Sequence, residues 1–204
     1  MHASHNILIG VVAVLMATCA SAQAGPLTIV ETNFPAVNCL FQPSCAITVS
    51  DSSGTVNLGF DSGSGFFQSR IFNSAAGTPA AGKTGYLYRL DLRGATGNTE
   101  CVVGVTINFG PVTKLPYKAG SMSDVFVGTA GGLGTVKLKS ADQDGDVITF
   151  VFDNSVCPKM GATAGETTFF FGLASASAPH AVTATLFGSG NPAFTAVDAR
   201  APNH

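Results

Sequence analysis

The sequence predicts an all-β chain: a single antiparallel β-sandwich or jelly-roll-like domain of about ten to twelve short strands, following a cleaved signal peptide. Three observations predict it. Apolar residues alternate with period two in segment after segment, and no long segment repeats them at helical spacing. Glycine (24) and proline (10), with Asn and Asp, punctuate those segments at short intervals. The chain also opens on an apolar run that ends in small residues.

That opening run extends from Ile7 to Ala20, followed by Ala22 and Ala24, the core and A-x-A pattern of a secretory signal. It is shorter than the roughly 20 residues of a membrane span, and no later stretch is long enough for one. Cleavage after Ala22 or Ala24 is expected. Residues 1–24 are then the signal, and residues 25–204 form one exported domain, secreted or periplasmic. Processing as a lipoprotein at Cys19 is disfavoured, because Thr18 is too large for the position before the cysteine.

Composition narrows the partners. Charged residues make up 11% and the net charge is −2, with Lys and Arg scattered singly. Nucleic acid and anionic membrane surfaces need clustered positive charge, so neither is expected as a partner. Cys39, Cys45, Cys101 and Cys157 remain after signal removal, an even number suited to an oxidising compartment. Of the three pairings, Cys39–Cys45 and Cys101–Cys157 are favoured. Loop entropy assigns them about 2 and about 4 kcal/mol. Zinc is disfavoured, since there is no C-x-x-C pair and no nearby His.

The expected strands, in order, are LTIVET, AITVSD, TVNLGF, FFQSRIF, GYLYRLDLRG, CVVGVTINFG, DVFVGT, TVKLKS, VITFVFD, TTFFFGLAS, AVTATLFG and FTAVDAR. In GYLYRLDLRG, Tyr86, Tyr88, Leu90 and Leu92 share one face, and Leu87, Arg89, Asp91 and Arg93 the other. In CVVGVTINFG, Cys101, Val103, Val105, Ile107 and Phe109 line up together. VITFVFD and TTFFFGLAS are apolar on both faces, which places them centrally.

Between FFQSRIF and GYLYRLDLRG lies NSAAGTPAAGK, which reads as an exposed loop. Its Gly77–Thr84 portion, GTPAAGKT, fits the phosphate-binding pattern G-x-x-x-x-G-K-[ST]. Such a loop works only when it opens a helix. Here a strand follows Thr84, and Pro79 removes an N–H donor, so no nucleotide is expected. Gly128–Gly134 similarly reads as a glycine-rich connection between strands.

Asp142, Asp144 and Asp146 fall at positions 1, 3 and 5 of a calcium loop, with Asp153 at position 12. They are the candidate metal ligands. Against this, position 6 is Val147 where a calcium loop needs Gly, and Asp144-Gly145 is a strong hairpin signal. The hairpin is the preferred reading, so no cofactor is expected beyond that calcium alternative.

For catalysis, His180 and His204 are the only histidines after the signal, and no G-x-S-x-G elbow accompanies them. His180 reads as a loop residue facing solvent, and His204 as a mobile terminal one. Glu31, Glu100 and Glu166 are isolated in sequence. The expectation is therefore a non-enzymatic binding or structural protein, with an unidentified protein or polysaccharide as ligand. The alternative is a polysaccharide hydrolase with two carboxylates across a cleft.

The segments TIVETNFPAVNC, GGLGTVKLKSADQDGDVITF and GETTFFFGLASASAPHAVTATL resemble those of small exported bacterial proteins of β-rich type. Some of these carry a C-terminal sorting tail with a Pro-Glu-Pro signature. The chain ends in DARAPNH, so the resemblance implies no anchoring, and it implies no function or site residue.

Overall fold

The computed structural model describes residues 25–97, 100–131, 133–188 and 195–204. The expected signal, residues 1–24, lies outside them. Their strands are β1 (Gly25–Pro26), β2 (Ile29–Asn33), β3 (Ser50–Val56), β4 (Ser62–Gly63), β5 (Gly65–Asn73), β6 (Thr84–Asp91), β7 (Ala95–Thr96) and β8 (Val102–Asn108). They continue with β9 (Leu115–Lys118), β10 (Ser121–Ser123), β11 (Val125–Ala130), β12 (Leu138–Asp144), β13 (Val147–Val156), β14 (Phe171–Ser175), β15 (Pro179–Gly188) and β16 (Thr195–Pro202). One helix, α1 (Phe34–Phe41), follows β2.

Two six-stranded sheets dominate. The first has the order β1-β12-β13-β8-β15-β16 and the second β2-β11-β14-β6-β5-β3; β9–β10 and β4–β7 form small ribbons. The doubly apolar segments lie inside the sheets as expected, β13 in the first and β14 in the second. The expectation of purely antiparallel pairing is corrected where β2 runs parallel to β11, and the isolated bridges Thr96↔Lys159 and Val136↔Thr168 are parallel too. No hairpin constrains the β2–β11 pair. The chain reaches β2 from the first sheet, where β1 pairs with β12, and Leu27 N–H still donates to the Ala141 carbonyl at 2.8 Å.

The sheets share one core. Val105, Ile148, Phe150 and Leu186 from the first sheet meet Phe67, Tyr88, Val125, Phe171 and Leu173 from the second. Phe150 and Phe171 lie 4.9 Å apart between ring centroids, and Tyr88 contacts both rings. Burial of rings of this size supplies the main stabilisation. The period-two reading of β8 fails at one point. Phe187 pairs with Gly104 and Gly188 with Val102, so an irregularity at Val103 turns Val102 into the core instead.

Two expected strands, Ala46–Asp51 and Thr55–Phe60, are corrected to one. The polar stretch Ser50–Val56 forms β3, with its ladder to β5 beginning at Ser50↔Ile71. β3 packs against β16 of the first sheet at one side of the core. A Cβ on Gly54 would stand 2.5 Å from Val197 Cγ2 and 2.6 Å from the Asp198 carbonyl oxygen. Only glycine permits that approach.

The helix is a further correction. Asn33 caps it, its Oδ1 accepting from Ala36 N–H at 2.8 Å, and Pro35 sits in the first turn. Val37 and Phe41, four residues apart, are both fully buried. They build a second core on the outer face of the second sheet with Phe72, Leu87, Leu115, Tyr117, Phe126 and Phe170. β6 is consequently buried at every residue.

Both favoured disulfides form, Cys39–Cys45 and Cys101–Cys157. The second joins chain positions 56 apart at the ends of neighbouring strands, beside the Val156↔Val102 pair. Replacing both Cys101 and Cys157 by Ala should cost about 4 kcal/mol. Gly54→Ala should cost about 1–3 kcal/mol through overpacking. Urea unfolding of each variant measures both losses, and an unchanged midpoint in either would remove the corresponding constraint.

Candidate functional site

A cleft opens where the β3–β5 ladder stops. Residues 46–49 precede β3 outside any ladder, with Ile47 and Val49 half-buried and Ala46 and Thr48 exposed. The alternation expected for this segment is therefore present without a ladder. Its would-be partner is occupied, because Gln42 Nε2 donates to the Asn73 carbonyl at 3.0 Å. Gln42 is fixed in turn at the end of α1, where its N–H reaches the Asn38 carbonyl at 2.8 Å and the Cys39–Cys45 bridge closes the following loop.

The cleft has a volume of about 490 Å³, within the usual range for small-ligand sites. Val49, Ile71, Phe72 and Pro179 supply apolar lining, while Gln42, Thr48, Ser50, Asn73 and Arg200 supply polar groups. Arg200 comes from β16 and is pinned from the opposite sheet. Its N–H donates to Ser69 Oγ at 3.3 Å, and its carbonyl accepts from Tyr88 Oη at 2.8 Å. Its guanidinium Nη1 then donates to Ser50 Oγ at 3.0 Å. Burial, opposed by the charge of Arg200, pushes the Tyr86 phenol up to about 12, and this phenol donates to the Ser177 carbonyl at 2.8 Å.

A second cavity, of about 680 Å³, lies beside the start of α1 and includes Glu31, Thr32, Asn33 and Lys118. Its one carboxylate, Glu31, accepts from Lys137 Nζ at 2.9 Å through both oxygens.

The loop carrying GTPAAGKT is less exposed than its composition suggests. Ala75 N–H donates to the Phe41 carbonyl at 2.8 Å and Ala80 N–H to the Leu40 carbonyl at 3.0 Å. The loop thus satisfies the open carbonyls at the end of α1, and Ala80 is fully buried. Lys83 N–H is bonded to the Ala80 carbonyl at 2.9 Å, and Thr84 begins β6. The backbone donors of Ala80, Ala81 and Lys83 are thus bonded within the fold.

The four candidate calcium ligands are not brought together. Asp144↔Val147 closes the β12–β13 hairpin, with Gly145 at φ 59° in its two-residue turn. Asp142, Asp144 and Asp146 are exposed near this tip. Asp153 lies six residues beyond Val147, about 20 Å along the strand, where its Oδ1 accepts from Lys137 N–H at 2.9 Å. Among the described residues, no three His, Cys, Asp or Glu side chains are grouped to hold a metal ion.

Both histidines are engaged. His180 lies in β15, with Nδ1 3.1 Å from the Ala201 carbonyl oxygen. His204 is docked against the hairpin tip, its Nε2 3.2 Å from Asn108 Oδ1 and 3.6 Å from Asp146 Oδ2. Glu166 Oε2 accepts from Cys157 N–H at 2.9 Å.

The polar side of GYLYRLDLRG holds an ionic cluster in which Asp91 and Arg89 are buried and Arg93 is half-exposed. Arg93 Nη2 donates to Asp91 Oδ2 at 2.6 Å, and Arg89 Nη2 lies 3.7 Å from the same oxygen. Arg89 Nε and Nη1 have no hydrogen-bond partner among the described residues. The guanidinium instead sits between two rings, 5.3 Å from the centroid of Phe66 and 4.9 Å from that of Phe170. Burial pulls the Arg89 guanidinium below its ordinary value, with Asp91 opposing. Burial would raise Asp91, but the hydrogen bonds from Arg93 and the charges of Arg93 and Arg89 together hold it below the usual 3.8. A lowered carboxyl stabilises the fold fully above its unfolded pKa, and that contribution is lost as pH falls through the folded value. Asp91→Asn should therefore cost ~3–5 kcal/mol at neutral pH by stranding Arg89. It should also flatten the loss of stability below about pH 4, as read by urea unfolding at several pH values.

No protein-family model, curated protein or solved structure matches the chain.

Proposed function

We propose that the chain is an exported β-sandwich protein that binds a ligand outside the cytoplasm, without catalysis, in the cleft beside the Cys39–Cys45 loop. The observation that carries this reading is the cleft itself. Five polar side chains from three separate chain segments converge on it above an apolar lining, the composition expected of a recognition site. The two disulfides support a place in an oxidising compartment. Among the described residues, no helix is long and apolar enough to cross a membrane.

The polysaccharide hydrolase remains the competing activity. It needs two carboxylates facing one another across a cleft, and the cleft lining contains no Asp or Glu. The reading requires neither a nucleotide nor a metal.

Two measurements test it. Expressed from the full chain, the protein should appear outside the cytoplasm with an N-terminus at Gln23 or Gly25; an intact N-terminus in the cytoplasm would refute export. A thermal melt against envelope and matrix polysaccharides should show a midpoint that rises with ligand concentration, with no sugar ends released. Release of ends would assign the hydrolase instead. Calcium added to the same melt should leave the midpoint unchanged.

A further inference from the structure

The geometry points to a carboxylate-bearing ligand in this cleft, specifically a uronic acid unit of an acidic polysaccharide, with Arg200 as its anchor. This rests on the binding role proposed above and adds the ligand class. The first argument is charge. Among the ten residues lining the cleft, Arg200 is the one cation and none is acidic. The other three arginines, Arg70, Arg89 and Arg93, each have a carboxylate oxygen within ion-pair distance. Arg200 has a serine hydroxyl in that place. The cleft is thus locally positive on a chain of net charge −2.

The second argument is orientation. The Arg200 backbone is held at both its N–H and its carbonyl by the opposite sheet, and one guanidinium nitrogen is held by Ser50. A fork fixed in this way loses little freedom when a planar carboxylate docks on its remaining donors. The third argument separates a sugar from a peptide. Thr48, Ser50, Gln42 and Asn73 can each donate and accept, which matches the hydroxyls around a sugar ring. Addition of a peptide strand finds few open positions. Along β5, β3 is already paired from Ser50 onward, and Gln42 occupies the Asn73 carbonyl beyond it.

The test uses protein made from the full chain with both disulfides formed. Its ligands are oligogalacturonate, the methyl ester of that oligomer, a neutral gluco-oligosaccharide and oligoglutamate. Amide and guanidinium NMR shifts report the site, and titration gives affinity. Oligogalacturonate should move the resonances of Ser50, Asn73 and Arg200. Esterification or Arg200→Gln should each weaken it about tenfold or more. Arg200→Lys, which keeps the charge but loses the fork, should also bind more weakly, and it serves if the Gln variant does not fold. Equal binding of acid and ester at these resonances would overturn the carboxylate assignment and leave the binding role standing. Preference for oligoglutamate would overturn the sugar assignment. No shift at the cleft with any ligand would overturn both the inference and the role it rests on.

Discussion

The burial of β6 on both faces is the constraint around which the rest of the molecule is arranged. A central strand with aromatic and aliphatic residues on one side needs a facing sheet, which β13, β8 and β15 provide. Its other side carries Leu87, Arg89 and Asp91, all of which are also withdrawn from water. A second layer is therefore required. It is built from α1, the 74–83 loop and β9, and it seals the Leu87 end with apolar side chains. At the other end the strand keeps its charges, neutralised by one another and by two phenylalanine rings. Buried ion pairs of this kind are costly to break, and they add little when compared with a well-packed apolar alternative.

The two sheets are also joined by directional bonds. Tyr86 and Tyr88 sit on the core face of β6, and their hydroxyls donate hydrogen bonds to the carbonyls of Ser177 and Arg200 in the chain of the opposite sheet. Their rings fill the core while their hydroxyls fix how β16 and the turn before β15 lie across it. A buried phenol without such a partner would lose its hydration uncompensated. The same bonds set the position of Arg200, so the packing of the core and the geometry of the cleft are parts of one arrangement.

The cleft exists because a ladder ends early. β5 continues to Asn73, but its neighbour stops pairing at Ser50, and a glutamine from the end of α1 takes the next carbonyl. The short disulfide holds that glutamine's loop in place. A helix end, a disulfide loop, the segment preceding β3 and the end of a distant strand thus meet at one location.

Much of the fold was legible in the sequence, and the reasons are local. Period-two alternation found most of the strands, since exposure alternates along a pleated strand whatever its partner. AITVSD keeps an alternating exposure over residues 46–49, although no ladder forms there. Cysteine spacing favoured the observed disulfides, and the strand expected after the GTPAAGKT segment forms as β6. The helix was missed although Asn33 and Pro35 marked its start, because eight residues are too few to show a helical period. Tertiary structure decided what depends on distant partners. It selected the polar Ser50–Val56 as a strand, since pairing with β5 and contact with β16 outweigh its poor strand composition. It paired β2 parallel to β11, turned Val102 inward through an irregularity, and buried the charged face of β6 beneath a second layer. It also brought Arg200 beside Ser50, 150 positions apart in the chain. Alternation specifies which residues turn away from water, whereas the choice of what covers them is made by long-range packing that no single segment encodes.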